Sequence, residues 1–393
     1  MRKHNRLPEL VSIVVLLLLL SLDAAAGQER AKPAPGSLLV YTGTYTGGKS
    51  EGIYVFRFDP ATGKATAPEL AAKSENPSFL ALHPGKRFLY AVNEVGQFEG
   101  QSSGAVSAFS IDGVTGKLSF LNQKSSGGAG PCHVSVDRSG KTVFAANYTG
   151  GSAIALRVEE DGRLGAATAT LKPEEEPAAG QKKVQAKGHW MDVDPKNQFA
   201  LVAFLGLERL SVHRFDAATG KLSPNDPPFA TLRPGSGPRH AAFHPGGRFA
   251  YVINETSCTM TAFSFDGAKG ALKELGTVST LPVERQQGWS TAEVQIHPSG
   301  SFLYGSNRGH DSIAVFAVDR EAGTIRALEH QPTGGKTPRS FGIDPSGSWL
   351  LAANQASDTI VVFRIDPATG RLKRTDEVIQ VAAPVCVVFL ALL

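Results

Sequence analysis

The stretch GPRHAAFHPGGRFAYVINE, residues 237–255, decides the reading of this chain. Two alternating, strand-like runs flank a turn of the type Pro-x-Gly, which is the pattern of a β-hairpin. Charged groups stand at the hairpin's open end. Arg239 and His240 begin the first run, and Glu255 closes the second. Outward from this stretch the same pattern recurs. PSFLALHPGKRFLYAVNE begins at Pro77, PCHVSVDRSGKTVFAANY at Pro131 and KGHWMDVDPKNQFALVAFL at Lys187. AEVQIHPSGSFLYGSNR begins at Ala292 and PRSFGIDPSGSWLLAANQ at Pro338. In each copy a His or Asp leads the turn: His83, Asp137, Asp194, His244, His297 and Asp344. Eleven residues later the second run ends, at Glu94, Tyr148, Leu205, Glu255, Arg308 and Gln355. A constant offset through six copies marks an internal repeat.

A second alternating hairpin follows each copy, as in MTAFSFDGAKGAL and IVVFRIDPATGRL. A seventh such hairpin, IYVFRFDPATGKA, starts at Ile53. Its second strand is SLLVYTGTYT, from Ser37, and its missing first strand is APVCVVFL, from Ala383 at the other end of the chain. The pattern predicts an all-β, seven-bladed β-propeller over residues 37–393, with four-stranded blades and a closing blade shared by the two termini. The polar insert LKPEEEPAAGQKKVQAKG, residues 171–188, reads as a loop.

In a propeller the first strand of each blade lines the central channel, and period-2 alternation selects the inward residues. Counted from the Pro of PRH, the second residue onward is Phe79, His133, His189, His240, Glu293, Ser340 and Cys386 around the ring. The residue directly after Pro is Ser78, Cys132, Gly188, Arg239, Ala292, Arg339 and Val385. A first strand starts where the antiparallel second strand ends, so Arg239, His240 and Glu255 meet at one mouth. Neighbouring blades add His189, Glu293, Arg308 and Arg339. A buried charge cluster is costly without a purpose, which makes Glu255, His189, Arg239 and Arg308 the candidate catalytic group. His240, Arg339, Glu293 and His133 are candidate substrate contacts. The His and Asp turn leaders read as structural, hydrogen-bonding turn amides. The recurrent Asn93, Asn147, Asn254, Asn307 and Asn354 read as structural too, satisfying loop amides.

Composition limits the alternatives. The chain has 393 residues, a formal net charge of +4 and 41% hydrophobic residues, enough for a large core and short of a basic nucleic-acid surface. The N-terminus joins basic MRKHNR to an apolar run over residues 10–22 and then to AAAG, the layout of a secretory signal peptide. This predicts cleavage near Ala26 (signal peptide 1–26, flexible lead-in 27–36) and a periplasmic or secreted chain without stable membrane insertion. Three cysteines, Cys132, Cys258 and Cys386, do not make a disulfide framework. The histidines show no His-x-x-x-His or Glu-x-x-His spacing; a ring of His133, His189 and His240 is the one arrangement that could hold a metal. No metal or other cofactor is expected, and neither a serine nucleophile elbow nor a phosphate-binding glycine loop is present.

These motifs resemble a known family. YTGTYT, NPSFLALHP with RFLYAVNE, GPCHVSVD with ANYTGG, GPRHAAFHP with YVINE, STAEVQIHPSGSFLYGSNRGHDSI and GKTPRSFGIDPSGSWLLAANQASDTIVVF are similar to the seven-bladed propeller lactonases. That family includes the propeller-type 6-phosphogluconolactonases and the carboxymuconate cyclases. The resemblance covers the chain from about Leu38 to its end. It implies hydrolysis of a sugar lactone, with Arg239, His240, Glu255, Arg308 and His189 at the site. Where the family reads His-x-His-Ser, this chain reads Lys187-Gly188-His189-Trp190, and where it reads Asp-Leu-Gly, this chain reads Phe204-Leu205-Gly206. Both departures lie in the blade beside Arg239.

Three functions follow as expectations. The first is a monomeric lactone hydrolase with Glu255 as general base, an arginine on the oxyanion and His189 protonating the leaving alkoxide, or with His189 as base and Glu255 orienting it. The second is a non-catalytic exported propeller that binds an acidic sugar or a protein at the same mouth. The third is a muconate-type cycloisomerase.

Overall fold

The computed structural model describes Met1 and residues 36–173 and 184–391. The expected signal peptide and lead-in, apart from Met1 and Gly36, lie outside the described residues, as does the middle of the 171–188 loop. The rest forms seven antiparallel sheets in a propeller. In chain order the inner strands of blades 1 to 6 are Leu80–Leu82, Pro131–Val136, Gly188–Val193, Pro238–Phe243, Ser290–Ile296 and Pro338–Ile343. The second strands are Phe88–Asn93, Thr142–Asn147, Phe199–Phe204, Phe249–Asn254, Phe302–Arg308 and Trp349–Asn354.

Blade 7 closes the ring. Pro384–Ala391 pairs antiparallel with Leu38–Thr44, from Leu38 opposite Ala391 to Thr44 opposite Pro384. This is the pairing expected from seven third strands but only six complete first-second pairs. One detail departs from four strands per blade. The outer edge of blade 7 is broken into Lys64–Ala65 and Glu69–Lys73, both paired with Gly52–Asp59.

The core lies between blades. Trp190, Phe199 and Leu201 of blade 3 pack on Ala241, Val252 and Phe263 of blade 4, and the other interfaces repeat the arrangement. Polar staples join neighbours. The hydroxyls of Tyr41, Tyr90 and Tyr304 donate to the carbonyls of Gly116, Gly162 and Gly370 on the outer hairpin of the next blade. The turn leaders do what their position predicts and more. His83 Nδ1 accepts from the Gly85 amide while its Nε2 donates to the Gly140 carbonyl of the next blade. His244 does the same with Gly246 and Gly300. Gly140 has φ +76°, and a Cβ there would lie 2.3 Å from His83 Nε2, so only glycine fits. The recurrent asparagines differ from expectation. They donate instead of accepting loop amides: Asn147 Nδ2 to Ser126 O and Ser152 Oγ, and Asn307 Nδ2 to Thr280 O and Ser312 Oγ.

Candidate active site

A bulge at the start of the inner strand builds the site in blade 4. Pro238 pairs with Asn254 and His240 with Ile253, so Arg239 has no partner of its own. A bulge places two residues against one and re-aims both side chains. Strict alternation would have sent Arg239 and His240 to opposite faces; here both are turned into the channel. The same slip occurs at Pro338/Ser340 in blade 6 and at Gly188/Trp190 in blade 3. In blade 3 the skipped residue is His189, which corrects the count from the sequence. His189 stands in the ring of Arg239, Cys132 and Arg339, and Trp190 takes the place equivalent to His240. The count failed because blade 3 lacks the strand-initial proline that served as reference.

The four expected catalytic residues meet at Glu255 Oε2. Arg239 Nε donates to it at 2.9 Å and Arg308 Nη2 lies 3.1 Å away. His189 Nε2 is 3.8 Å off, too far for a hydrogen bond. Both arginines are anchored. Arg239 Nη1 donates to Ala292 O at 2.6 Å, and Arg308 Nε and Nη2 both donate to Thr291 O. The other carboxylate oxygen, Oε1, has no hydrogen-bond partner among the described residues. The Glu255 side chain is 22% exposed, against 3% for Arg239.

Electrostatics sorts these groups. Burial pushes the Glu255 carboxyl up, but Arg239, Arg308 and Arg339 more than offset this and hold it below the usual carboxylate range. Burial and the Arg239 charge bring Arg308 down to about 10, still protonated at neutral pH. Burial, followed by the Arg239 charge and His240, holds His189 well below the usual imidazole range. It is therefore neutral, and carries no extra proton for a leaving alkoxide.

The remaining candidates divide. Arg339 reaches the mouth with its guanidinium 5.4 Å above the Tyr45 ring, and no carboxylate or other acceptor bonds it among the described residues. His240 and His133 lie deeper, 2% and 5% exposed. Their rings pack 5.2 Å apart, His189 packs on His240 at 5.2 Å, and Phe79 packs on His133 at 4.4 Å. These rings contact edge-to-face or tilted across the channel, an arrangement of packing rather than of convergent nitrogens. Glu293 sits behind His240, its Oε1 3.3 Å from Nδ1, and burial pushes its carboxyl up to about 7. Its place is beneath the mouth rather than in it.

Two departures from the family pattern separate as well. Lys187 lies at the mouth, its ammonium 5.3 Å over the Tyr148 ring, which in turn meets His189 edge-on. Phe204 is buried in the interface between blades 2 and 3 and does not face the mouth. A cavity of about 460 Å³, lined by Arg138, Trp190, Asp192, Phe243, His244 and Gln295, opens at the opposite end of the inner strands. The charged residues, not this cavity, mark the candidate site.

The second-strand ends read from the sequence bring one more group to the mouth. Glu94 Oε2 accepts from the hydroxyls of Tyr45 and Ser78. Each of Tyr45 and Glu94 stands one residue past the second strand of its blade.

Comparison with known proteins agrees with this architecture. Residues 39–389 match the profile described as "Lactonase, 7-bladed beta-propeller". The chain belongs to the seven-bladed β-propeller lactonase family. A 6-phosphogluconolactonase of Bacillus subtilis is 35% identical over 282 residues, 71% of this chain and 77% of that one. A 6-phosphogluconolactonase of Formosa agariphila is 34% identical over 287 residues, 72% of this chain and 79% of its own. Among solved structures, the periplasmic gluconolactonase of Pseudomonas aeruginosa superposes with a TM-score of 0.83 at 33% identity, covering 91% of this chain and all of that one.

Proposed function

We propose that this propeller is an exported hydrolase of sugar-derived lactones, working at the mouth around Glu255. One observation carries the reading. Among the described residues the hydrogen bond from Arg239 and the ion pairs with Arg308 and His189 fall on Oε2, and Oε1 accepts no hydrogen bond. A carboxylate fixed by one oxygen and free at the other is placed to take a proton from water.

Ring opening then proceeds as follows. Oε1 takes a proton from a water as its oxygen attacks the lactone carbonyl. The carbonyl oxygen becomes an oxyanion, and Arg308, whose Nη1 bonds nothing among the described residues, supplies the donor that stabilises it. The carbonyl–ring oxygen bond breaks, and the proton held by Glu255 goes to the departing oxygen. The product is a hydroxy acid, which ionises at neutral pH. Neutral His189 lines the site beside Glu255 Oε2. With Arg239 and Arg308 sharing Glu255, Arg339 is the guanidinium left for an anionic substituent, which favours a 6-phosphogluconolactone-like or carboxylated lactone.

The test is acid release by the purified protein, followed with a pH indicator, on glucono-1,5-lactone, its 6-phosphate and a glucaric acid monolactone. Saturable hydrolysis above the spontaneous rate is expected, with the lower KM for the anionic lactones. Spontaneous rates throughout would leave a non-catalytic binding propeller. The apolar run over residues 10–22, the AAAG that follows it and the periplasmic relative support export. Mass spectrometry of the exported form should find a start near residue 27; an intact Met1 in the cytoplasm would overturn it.

A further inference from the structure

Arg239 is held from behind as well as in front. Its Nη1 lies 3.2 Å from His240 Nε2, and His240 Nδ1 lies 3.3 Å from Glu293 Oε1. The Val294 amide donates to that same Oε1 at 3.0 Å. A guanidinium can only donate. His240 Nε2 must therefore present its lone pair to Arg239, and the single imidazole proton must sit on Nδ1, pointing at Glu293. The three side chains are almost wholly buried, at 3%, 2% and 7% exposed, so the chain is not an exchangeable surface network. Of the seven residues at the level of Glu293, the others are Phe79, His133, Trp190, His240, Ser340 and Cys386. A lone carboxylate at this depth is costly unless it is used. Its bulged backbone is also fixed, since the Glu293 amide donates to Ser306 Oγ at 2.9 Å.

We infer that Glu293 is a positioning residue for the site: it fixes His240 as the Nδ1-protonated tautomer, and His240 in turn aims Arg239 at Glu255 Oε2. The catalytic half of this inference rests on Glu255 being the base. With the other tautomer, Nε2–H would oppose an Arg239 N–H at 3.2 Å, donor against donor. Arg239 would then lose one of its three anchors and with it the aim of its Nε. Glu255 would be freer to rotate, and Oε1 would no longer be the oxygen left open.

Nitrogen-15 NMR of the imidazole and guanidinium groups reads this without a substrate. In the unaltered protein His240 should show a protonated Nδ1 and an unprotonated Nε2, and Arg239 should show a slowly exchanging Nε–H. Glu293→Gln keeps an acceptor oxygen for Nδ1–H and should preserve both signatures, with kcat within about threefold. Glu293→Leu removes the acceptor and should populate the Nε2–H tautomer and speed exchange of the Arg239 Nε–H. Its kcat should drop by about 10–100-fold, with KM changed less. An Nε2-protonated His240 in the unaltered protein would overturn the inference, whatever happens to the leucine variant. So would equal loss of turnover in the glutamine and leucine variants. Because the tautomer is read in the resting protein, failure of every lactone to react would count against the hydrolase and not against this arrangement.

Discussion

Glu255 and Glu94 occupy the same place in blades 4 and 1, each one residue beyond the second strand and eleven past its turn leader. Their surroundings are opposite in character. Glu255 meets two guanidinium groups, from Arg239 in its own blade and Arg308 in the next. Glu94 meets two hydroxyls, from Ser78 in its own blade and Tyr45 in the one before. The backbone is the same, so the difference lies in what neighbours supply. Cations hold Glu255 below the usual carboxylate range and meet it at Oε2. Hydroxyls hold Glu94 in a hydrogen-bonded rim. A symmetric fold thus gains an asymmetric site from a handful of substitutions at equivalent positions.

The sharpest way to probe this contrast is Glu255→Gln. Glutamine still offers Arg239 an acceptor oxygen, so the propeller should fold, as read by an unchanged circular dichroism spectrum. It cannot take a proton from water, and kcat should fall by roughly 10²–10⁴-fold, the usual worth of a general base. A glutamine variant with unaltered turnover would remove Glu255 from the mechanism.

Arg339 comes next in size. It sits above Tyr45 and has no bonded anion of its own among the described residues. A hydrogen bond to a charged group is worth about 1.5–3 kcal/mol. Arg339→Ala should therefore raise KM for phosphorylated or carboxylated lactones by about 10–100-fold. Neutral gluconolactone should be little affected. Equal losses on charged and neutral lactones would show that Arg339 shapes the mouth without reading charge.

Much of this is legible in the sequence. Six copies with one offset announced the propeller, and a seventh hairpin with its partners at opposite ends announced how it closes. The same offset brought Glu255, Arg239 and Arg308 together, because strand ends in adjacent blades must share a mouth. What escaped was local. Alternation does not foresee a bulge, so both inward side chains of Arg239-His240 could not be derived from it, and blade 3, lacking its proline, was counted one residue out. Arg339 was legible as a candidate substrate contact, but that no carboxylate bonds it among the described residues shows only in the structure, as does the place of Glu293 behind the His240 ring.

The pH profile tests the electrostatic side of the contrast. Burial raises Glu255 but the three arginines lower it further, so its folded value lies below the ordinary one. A depressed carboxylate keeps its competent, ionised form above that value and loses it as pH falls through it. The acid limb of kcat/KM should lie below the ordinary glutamate value of about 4.3. Removing a cation with Arg308→Ala should move that limb upward. The stability contributed by these ion pairs has the same sign, present at neutral pH and lost on acidification. An acid limb near 6 to 7, unmoved in the arginine variant, would point to a different titrating group.

Glu94→Gln should have the smallest effect, and it is the control that gives the others meaning. A glutamine carbonyl can accept from the Tyr45 and Ser78 hydroxyls much as the carboxylate does, so the rim keeps its shape. Among the described residues no guanidinium bonds Glu94, so no ion pair is broken there and no arginine is left facing a neutral amide. Tyr45 stays in place beneath Arg339, and the anion-binding charge stays where it was. The expected change is under about threefold in kcat and KM for every lactone in the panel, within the range of exposed substitutions. Steady-state kinetics of the two glutamine variants, side by side, decide the matter. If Glu94→Gln costs as much as Glu255→Gln, the two carboxylates act as a pair across the mouth, and the assignment of the base to blade 4 alone is wrong.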